Sequence, residues 1–134
     1  EEWVPRVPLQ QFETNIEGMC DLCESRHVPL ALVLWPDRPQ AAGHWSPRID
    51  YQHSLKSIAA RRNVVVSDVV SIFQRNRVMA VQSYVPNDIV HVDRNGNRLA
   101  AIAARHAVTR CVESSPRVAR NVEPDRSNLQ PLRE

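Results

Sequence analysis

The stretch that most constrains the fold is an apolar run, V-P-L-A-L-V-L-W-P, from Val28 to Pro36. It has no polar residue, so its side chains do not alternate between a core face and a solvent face. A run of this kind is typical of a strand that is covered on both faces, as in a parallel sheet. Pro36 ends it, because proline has no N–H to donate to a neighbouring strand. We therefore expect Leu30 to Trp35 to lie inside a parallel sheet, between two neighbours.

The segments on either side of this run predict an alternation of helices and strands. Apolar residues at steps of three and four predict an amphipathic helix from about Leu9 to His27, and a second helix is expected from about Ile49 to Arg62. Val64 to Val66 reads as a short β-branched strand, and Ser67 is expected to cap a short helix after it. This alternation predicts an α/β fold with a parallel sheet.

The segment after the short helix is expected to end in a further helix. Residues 77–90 are expected to form a loop. Asp93 and Asn95 are both good N-cap residues, and the Ala-rich run behind them predicts a final helix that ends near Cys111. The expected buried face of that helix is Leu99, Ile102, Ala103 and Ala107.

Composition bounds the size and class of the protein. A chain of 134 residues forms one domain at most, and 43% hydrophobic residues are enough for a packed core. The net charge of +2 is small and the arginines are scattered, so no nucleic-acid partner is expected. No apolar run approaches the roughly 18 residues of a membrane span. Residues 1–112 are expected to form the domain, and 113–134, rich in proline and poor in apolar residues, a disordered tail.

Two of the three cysteines, those in the first predicted helix, are expected to pack rather than to react. Cys20 and Cys23 form a C-x-x-C pattern, but both fall far inside the first predicted helix, with Cys23 on its apolar stripe and Cys20 beside it. A reactive pair usually lies at a helix N-terminus, where the thiol pKa is lowered. The chain has no second C-x-x-C to complete a zinc site.

The pattern that most suggests chemistry lies between Pro86 and Ala104. Asp88 and His91 are three residues apart, ahead of Gly96 and the Ala-rich helix. A carboxylate at this spacing in a tight turn can accept the Nδ1–H of the imidazole, which fixes the tautomer. Nε2 is then free to take a proton from a nucleophile. We expect Asp88 to orient His91 as a general base.

This D-x-x-H pattern, with a glycine five residues later and an Ala-rich helix, resembles the last catalytic block of the SGNH hydrolases (GDSL-type esterases). The resemblance covers about residues 5–108. It implies the second half of a three-layer α/β/α, flavodoxin-like domain with a five-stranded parallel sheet. It also implies that Asp88 and His91 belong to a Ser-His-Asp triad, that the loop from Pro36 to Trp45 lies close to the substrate, and that no cofactor is needed. The substrate implied is an ester or acyl group on a small molecule or glycan.

Other catalytic parts of that family are missing from this sequence. Neither the G-D-S block of the nucleophile nor the G-x-N-D block occurs. None of the serines of the expected domain stands in a nucleophile context: Ser25, Ser46, Ser54, Ser57, Ser67, Ser71 and Ser83. The chain opens on Glu1 without an initiator methionine, so either a segment was removed upstream or this is a piece of a longer chain. The resemblance implies that it needs the upstream half of the fold. Its compartment stays open.

Two other interpretations fit the same residues. The domain could be a non-catalytic, flavodoxin-like binding or interaction module in which D-x-x-H is incidental. A metal site is the other alternative, although its ligands have no characteristic spacing. Those ligands would be His44, His53, Asp88 and His91.

Overall fold

A computed structural model describes residues 6–113, so the expected tail lies outside the described residues from position 114 onward. Within this part, the chain is mixed α/β and mostly helical, with one small parallel sheet of two strands, which confirms the α/β class. The strands are β1 (Ala31–Leu34) and β2 (Val65–Asp68). The helices are α1 (Leu9–Ser25), α2 (Arg38–Ala41), α3 (Ile49–Arg62), α4 (Val69–Arg75), α5 (Arg77–Gln82) and α6 (Arg94–Glu113).

β1 and β2 pair in parallel, with Ala31 opposite Val65 and Leu34 opposite Asp68. The predicted strand and its parallel pairing are therefore confirmed. Leu34 is fully buried, but Val33 is 45% exposed, and β2 is the only strand beside β1 within residues 6–113. The described residues thus leave one edge of β1 unpaired and one face partly uncovered, unlike the expected strand with two neighbours.

α1 packs against α3 through an ion-pair cluster and an edge-on contact between the rings of Phe12 and Tyr51. Arg62 of α3 contacts carboxylates on three successive turns of α1, those of Glu17, Asp21 and Glu24. The predicted bounds of both helices agree closely with the structure, and α3 begins and ends at the expected residues. On α1 the buried residue is Cys20, and its burial raises the pKa of the thiol. The predicted packing role of this cysteine is confirmed.

Two local expectations are wrong. Asp68, rather than Ser67, caps α4, because its carboxylate accepts hydrogen bonds from the backbone N–H and the hydroxyl of Ser71 at 2.9 and 2.8 Å. The expected loop 77–90 begins with helix α5. Ala80 of α5 is buried in the core, as is Tyr84 just after the helix, so this segment is fixed to the core at both points.

α6 turns a face of small residues toward the core. Its buried positions are Gly96, Ala100, Ala103, Ala107 and Cys111. The expected burial of Ala103 and Ala107 is confirmed, whereas Ile102 is 48% exposed and was wrongly expected in the core. Asp93 caps the helix, with Oδ1 accepting the backbone N–H groups of Asn95 and Gly96 at 2.8 and 3.0 Å. Within the described residues α6 extends to Glu113, close to the expected end near Cys111.

Gly96 allows the first turn of α6 to approach Val92 closely. A Cβ atom placed at Gly96 would lie 2.5 Å from Cβ of Val92 and 3.0 Å from both of its Cγ atoms. Val92 cannot easily move, because its backbone is bridged to Tyr84. The glycine of the D-x-x-H pattern is therefore required by packing, and it fixes the distance between α6 and the segment that carries the pattern.

We predict that Gly96→Ala lowers the free energy of unfolding by about 1–3 kcal/mol, because the added methyl group overpacks Val92. Gly18→Ala is the control, since nothing lies within 4 Å of a Cβ at that exposed position of α1. It should raise stability by roughly 0.5–1 kcal/mol through a better helix propensity. Urea unfolding of both variants tests this, and a Gly96→Ala protein as stable as Gly18→Ala would contradict it.

Candidate functional site

Asp88 and His91 lie at the tip of a short hairpin between α5 and α6. Tyr84 and Val92 form an antiparallel bridge at its base. One step further along, the N–H of Val85 donates to the carbonyl of His91 at 3.0 Å. The two strands of the hairpin are therefore held together directly behind the D-x-x-H residues.

Pro86 and Asn87 make the turn that brings Asp88 into place. The N–H of Asp88 donates to the carbonyl of Val85 at 3.0 Å, and Asn87 has a φ of +62°. Proline at the second position and a positive φ at the third are the marks of a type II turn. Asparagine is one of the few residues that adopts this left-handed conformation at low cost. The letters P-N-D thus encode a defined local geometry.

The Asp88 carboxylate contacts the His91 ring, as the spacing predicted. Oδ2 lies 2.7 Å from Nδ1 of the imidazole. Oδ1 accepts the backbone N–H groups of Val90 and His91 at 2.7 and 2.8 Å. Both oxygens are therefore engaged, which restrains the carboxylate and through it the orientation of the ring.

These hydrogen bonds also decide the protonation state of Asp88. The backbone N–H of His91, that of Val90 and the His91 ring hold the pKa of this carboxyl at about 2. An ionised carboxylate can only accept, so Nδ1 of His91 carries the proton, and in the neutral imidazole Nε2 has a free lone pair. The His91 side chain is 79% exposed, and Nε2 has no hydrogen-bond partner within residues 6–113. The pair can thus accept a proton from a group brought to Nε2.

The hairpin is anchored to the chain that leaves β1. The indole N–H of Trp35 donates to the carbonyl of Val90 at 3.3 Å, and the N–H of Arg38 donates to that of Ile89 at 2.8 Å. Both acceptors lie between Asp88 and His91. The pair is therefore at the carboxyl edge of the sheet, beside the loop from Pro36 to Trp45, as expected.

Tyr84 adds a third anchor from the base of the hairpin. Its hydroxyl donates to the carbonyl of Pro36 at 3.2 Å, and its ring packs edge-on against Phe73 of the core. Burial, with a smaller contribution from Asp37, raises the pKa of this phenol. Tyr84 therefore stays a neutral donor and ties the hairpin both to the core and to the end of β1.

A buried polar network beneath the loop was missed by the sequence analysis. Asp37 is 4% exposed and accepts hydrogen bonds from the Ser46 hydroxyl and the backbone N–H of Gln40. Gln40 and Gln52 pair through their amides, and Gln52 also donates to the carbonyl of Trp35 at 2.9 Å. The sequence D-R-P at Asp37 could have predicted part of this network, because an aspartate just ahead of a proline is typical of the start of a helix. These residues begin α2, within the expected loop.

No serine within the described residues reaches His91. The hydroxyls of Ser46, Ser54, Ser71 and Ser83 all donate elsewhere, and that of Ser67 is buried in β2 without a partner. The described residues also contain no group of three or more His, Cys, Asp or Glu that could hold a metal, so the metal alternative gains no support. No helix in this part of the chain is long and apolar enough to cross a bilayer.

Comparison with protein families, curated proteins and solved structures found no match for this chain. The site is therefore interpreted from its own geometry: a hydrogen-bonded Asp–His pair on an anchored hairpin, with an accessible Nε2.

We predict that acid weakens the fold through Asp88. Its pKa is about 2 in the folded chain, against about 3.9 in an unfolded one, so the unfolded chain takes up the proton first. The stabilisation is fully present above the unfolded value and is lost as the pH falls toward 2. The difference in free energy of unfolding between wild type and Asp88→Asn should therefore shrink over this range.

Urea unfolding at a series of pH values measures that difference. Asp50→Asn is the matched control, because Asp50 is exposed and has no side-chain hydrogen bond within residues 6–113. A wild-type advantage over Asp88→Asn that stays constant from neutral pH down to the onset of acid unfolding would contradict the assignment.

We also predict that Trp35→Phe disturbs the imidazole without unfolding the chain. Phenylalanine keeps the aromatic packing near Phe73 but removes the donor to Val90, a loss of about 1 kcal/mol. Nitrogen NMR of His91 at neutral to mildly alkaline pH should show a smaller population of the Nδ1–H tautomer. Tyr51→Phe, which removes a hydrogen bond to Val7 instead, should leave the His91 signals unchanged. Identical spectra for both variants would exclude this positioning role of Trp35.

Proposed function

We propose that this chain supplies the Asp and His of a Ser-His-Asp triad in a serine ester hydrolase of the SGNH (GDSL) type. The observation that carries the proposal is the 2.7 Å contact between Asp88 Oδ2 and His91 Nδ1, on a hairpin anchored where β1 ends. The carboxyl ends of parallel strands are where α/β proteins build their sites. The substrate proposed is an acyl ester on a small molecule or glycan.

In this mechanism His91 acts first as a base and then as an acid. Nε2 takes the proton of a serine hydroxyl as its oxygen attacks the ester carbonyl, and the ionised Asp88 stabilises the imidazolium that forms. The imidazolium then protonates the leaving alcohol, and an acyl-enzyme remains. Water, or an acceptor alcohol in acyl transfer, then loses its proton to Nε2 as its oxygen attacks the acyl carbonyl. The bond to serine breaks, the acid or the new ester leaves, and Nε2 returns the proton to the serine oxygen.

The serine and the oxyanion donors must come from outside these residues. The sequence has no G-D-S block, and no described hydroxyl contacts His91. We propose that the upstream half of a three-layer α/β/α domain supplies them and adds a strand beside β1. The edge of β1 that is unpaired within residues 6–113 and the exposure of Val33 support this. An added strand would pair with that edge, and the layer beyond it would cover Val33.

We predict that the 134-residue chain alone hydrolyses no ester above background. In the protein expressed from its complete reading frame, His91→Ala should lower kcat by several orders of magnitude, and Asp88→Asn somewhat less, because the asparagine favours the wrong tautomer. His53→Ala is the control, since His53 is exposed on α3 and has no hydrogen bond to the pair within residues 6–113.

Hydrolysis of p-nitrophenyl acetate is a suitable assay, because it requires little substrate recognition. Undiminished turnover by the His91→Ala enzyme would exclude a base role for His91. A complete protein with no acyl hydrolysis or transfer at all would favour the alternative, a non-catalytic flavodoxin-like binding module.

A further inference from the structure

The outward face of α6 carries arginines that the proposed catalysis does not use. Arg94, Arg98 and Arg105 are separated by four and seven residues, which places them along one line on a helix. All three are exposed, and none has a hydrogen-bond or ion-pair partner within residues 6–113. We call these three residues the arginine stripe. It lies opposite the small-residue face that packs on the core.

The arginine stripe is not compensated by acidic residues, unlike the basic residues of α3. Arg61 and Arg62 are surrounded by carboxylates of α1, as an ordinary solvated helix pair would be. α6 has one acidic residue, Glu113, at its far end. The carboxylate of Asp93, just before Arg94, caps the helix and forms no ion pair with Arg94, Arg98 or Arg105 within residues 6–113. Within residues 6–113, the three arginines of this face therefore have no carboxylate paired with them.

Exposed aliphatic side chains accompany the stripe. Val108 is 57% exposed, Ile102 48% and Val112 39%. At about 100° per residue, Val112 continues the line of the arginines, and Ile102 and Val108 flank it on opposite sides. From Arg94 to Val112 the face extends over about 27 Å. It combines unpaired cations with β-branched apolar residues, and it has no carboxylate before the last turn.

We propose that this face of α6 docks on an anionic phospholipid surface. Arginine can keep its head at the lipid phosphates while its stem lies along apolar surface. The three aliphatic side chains would enter the boundary between headgroups and acyl chains, as in helices that lie in the membrane plane. A nucleic acid could use the arginines but would gain little from three aliphatic side chains, so lipid fits the face better. This inference does not depend on the proposed catalysis.

Sedimentation of the full chain with vesicles tests the proposal. Binding is expected to vesicles of equal parts phosphatidylcholine and phosphatidylglycerol, but not to phosphatidylcholine alone. Each arginine near an anionic surface contributes about a fivefold gain in binding, so Arg98→Gln with Arg105→Gln should weaken binding about thirtyfold. Replacing Ile102 and Val108 by serine should weaken it as well, including at high salt, where the electrostatic part is screened.

The matched control is Arg26→Gln with Arg75→Gln, which removes the same charge from exposed arginines that have no side-chain partner within residues 6–113. If the control weakens binding as much as the stripe variant, net charge alone explains it and the proposal is overturned. Absence of binding to the mixed vesicles also overturns it, as does tighter binding to a DNA duplex than to vesicles. Circular dichroism of each variant confirms that the helices are retained.

Discussion

The close contact between Gly96 and Val92 is the packing constraint on which the position of the hairpin against α6 depends. Because Gly96 has no side chain, the first turn of α6 can lie directly against Val92, where a Cβ atom would come within 2.5 Å. Val92 is bridged to Tyr84, and Tyr84 reaches both the core through Phe73 and the end of β1 through the Pro36 carbonyl. A chain of contacts thus runs from α6 through the hairpin to the sheet. The hairpin tip is exposed, but its base is fixed at two points.

The Asp–His pair obtains its order from backbone groups rather than from burial. Asp88 is kept ionised mainly by the N–H groups of His91 and Val90, which belong to the same turn. An exposed side chain such as His91 would normally sample several rotamers, and the fixed carboxylate reduces that freedom. By contrast, Asp37 is deeply buried and needs the Ser46 hydroxyl and the Gln40 N–H to offset its desolvation. Asp88 is thus held by the N–H groups of its own turn, and Asp37 by partners within a buried network.

The features that could be predicted from the sequence are mainly those set by residues close together in the chain. The bounds of α1 and α3, the cap at Asp93 and the contact between Asp88 and His91 all depend on residues within one or two turns of each other. The features that were missed depend on distant partners or on short windows. α5 is too short to show a period, and the pairing of Gln40 with Gln52 joins segments that approach only in the folded chain. Ile102 was placed in the core by its apolarity, but it lies about 100° around the helix from the buried Ala103, beside the arginine stripe.

The proposed enzyme requires both an oriented histidine, which depends on local contacts, and a sheet, which depends on long-range contacts. The orientation of His91 is complete within the described residues, because the type II turn, the hairpin bridge and the anchors from Trp35 and Arg38 all lie there. Within these residues the sheet has two strands, so β1 has one neighbour there and Val33 is 45% exposed. A missing strand would therefore change the stability of the sheet more than the geometry of the Asp–His pair. In the proposed enzyme the base would therefore be organised by local contacts, whereas the nucleophile would depend on long-range assembly.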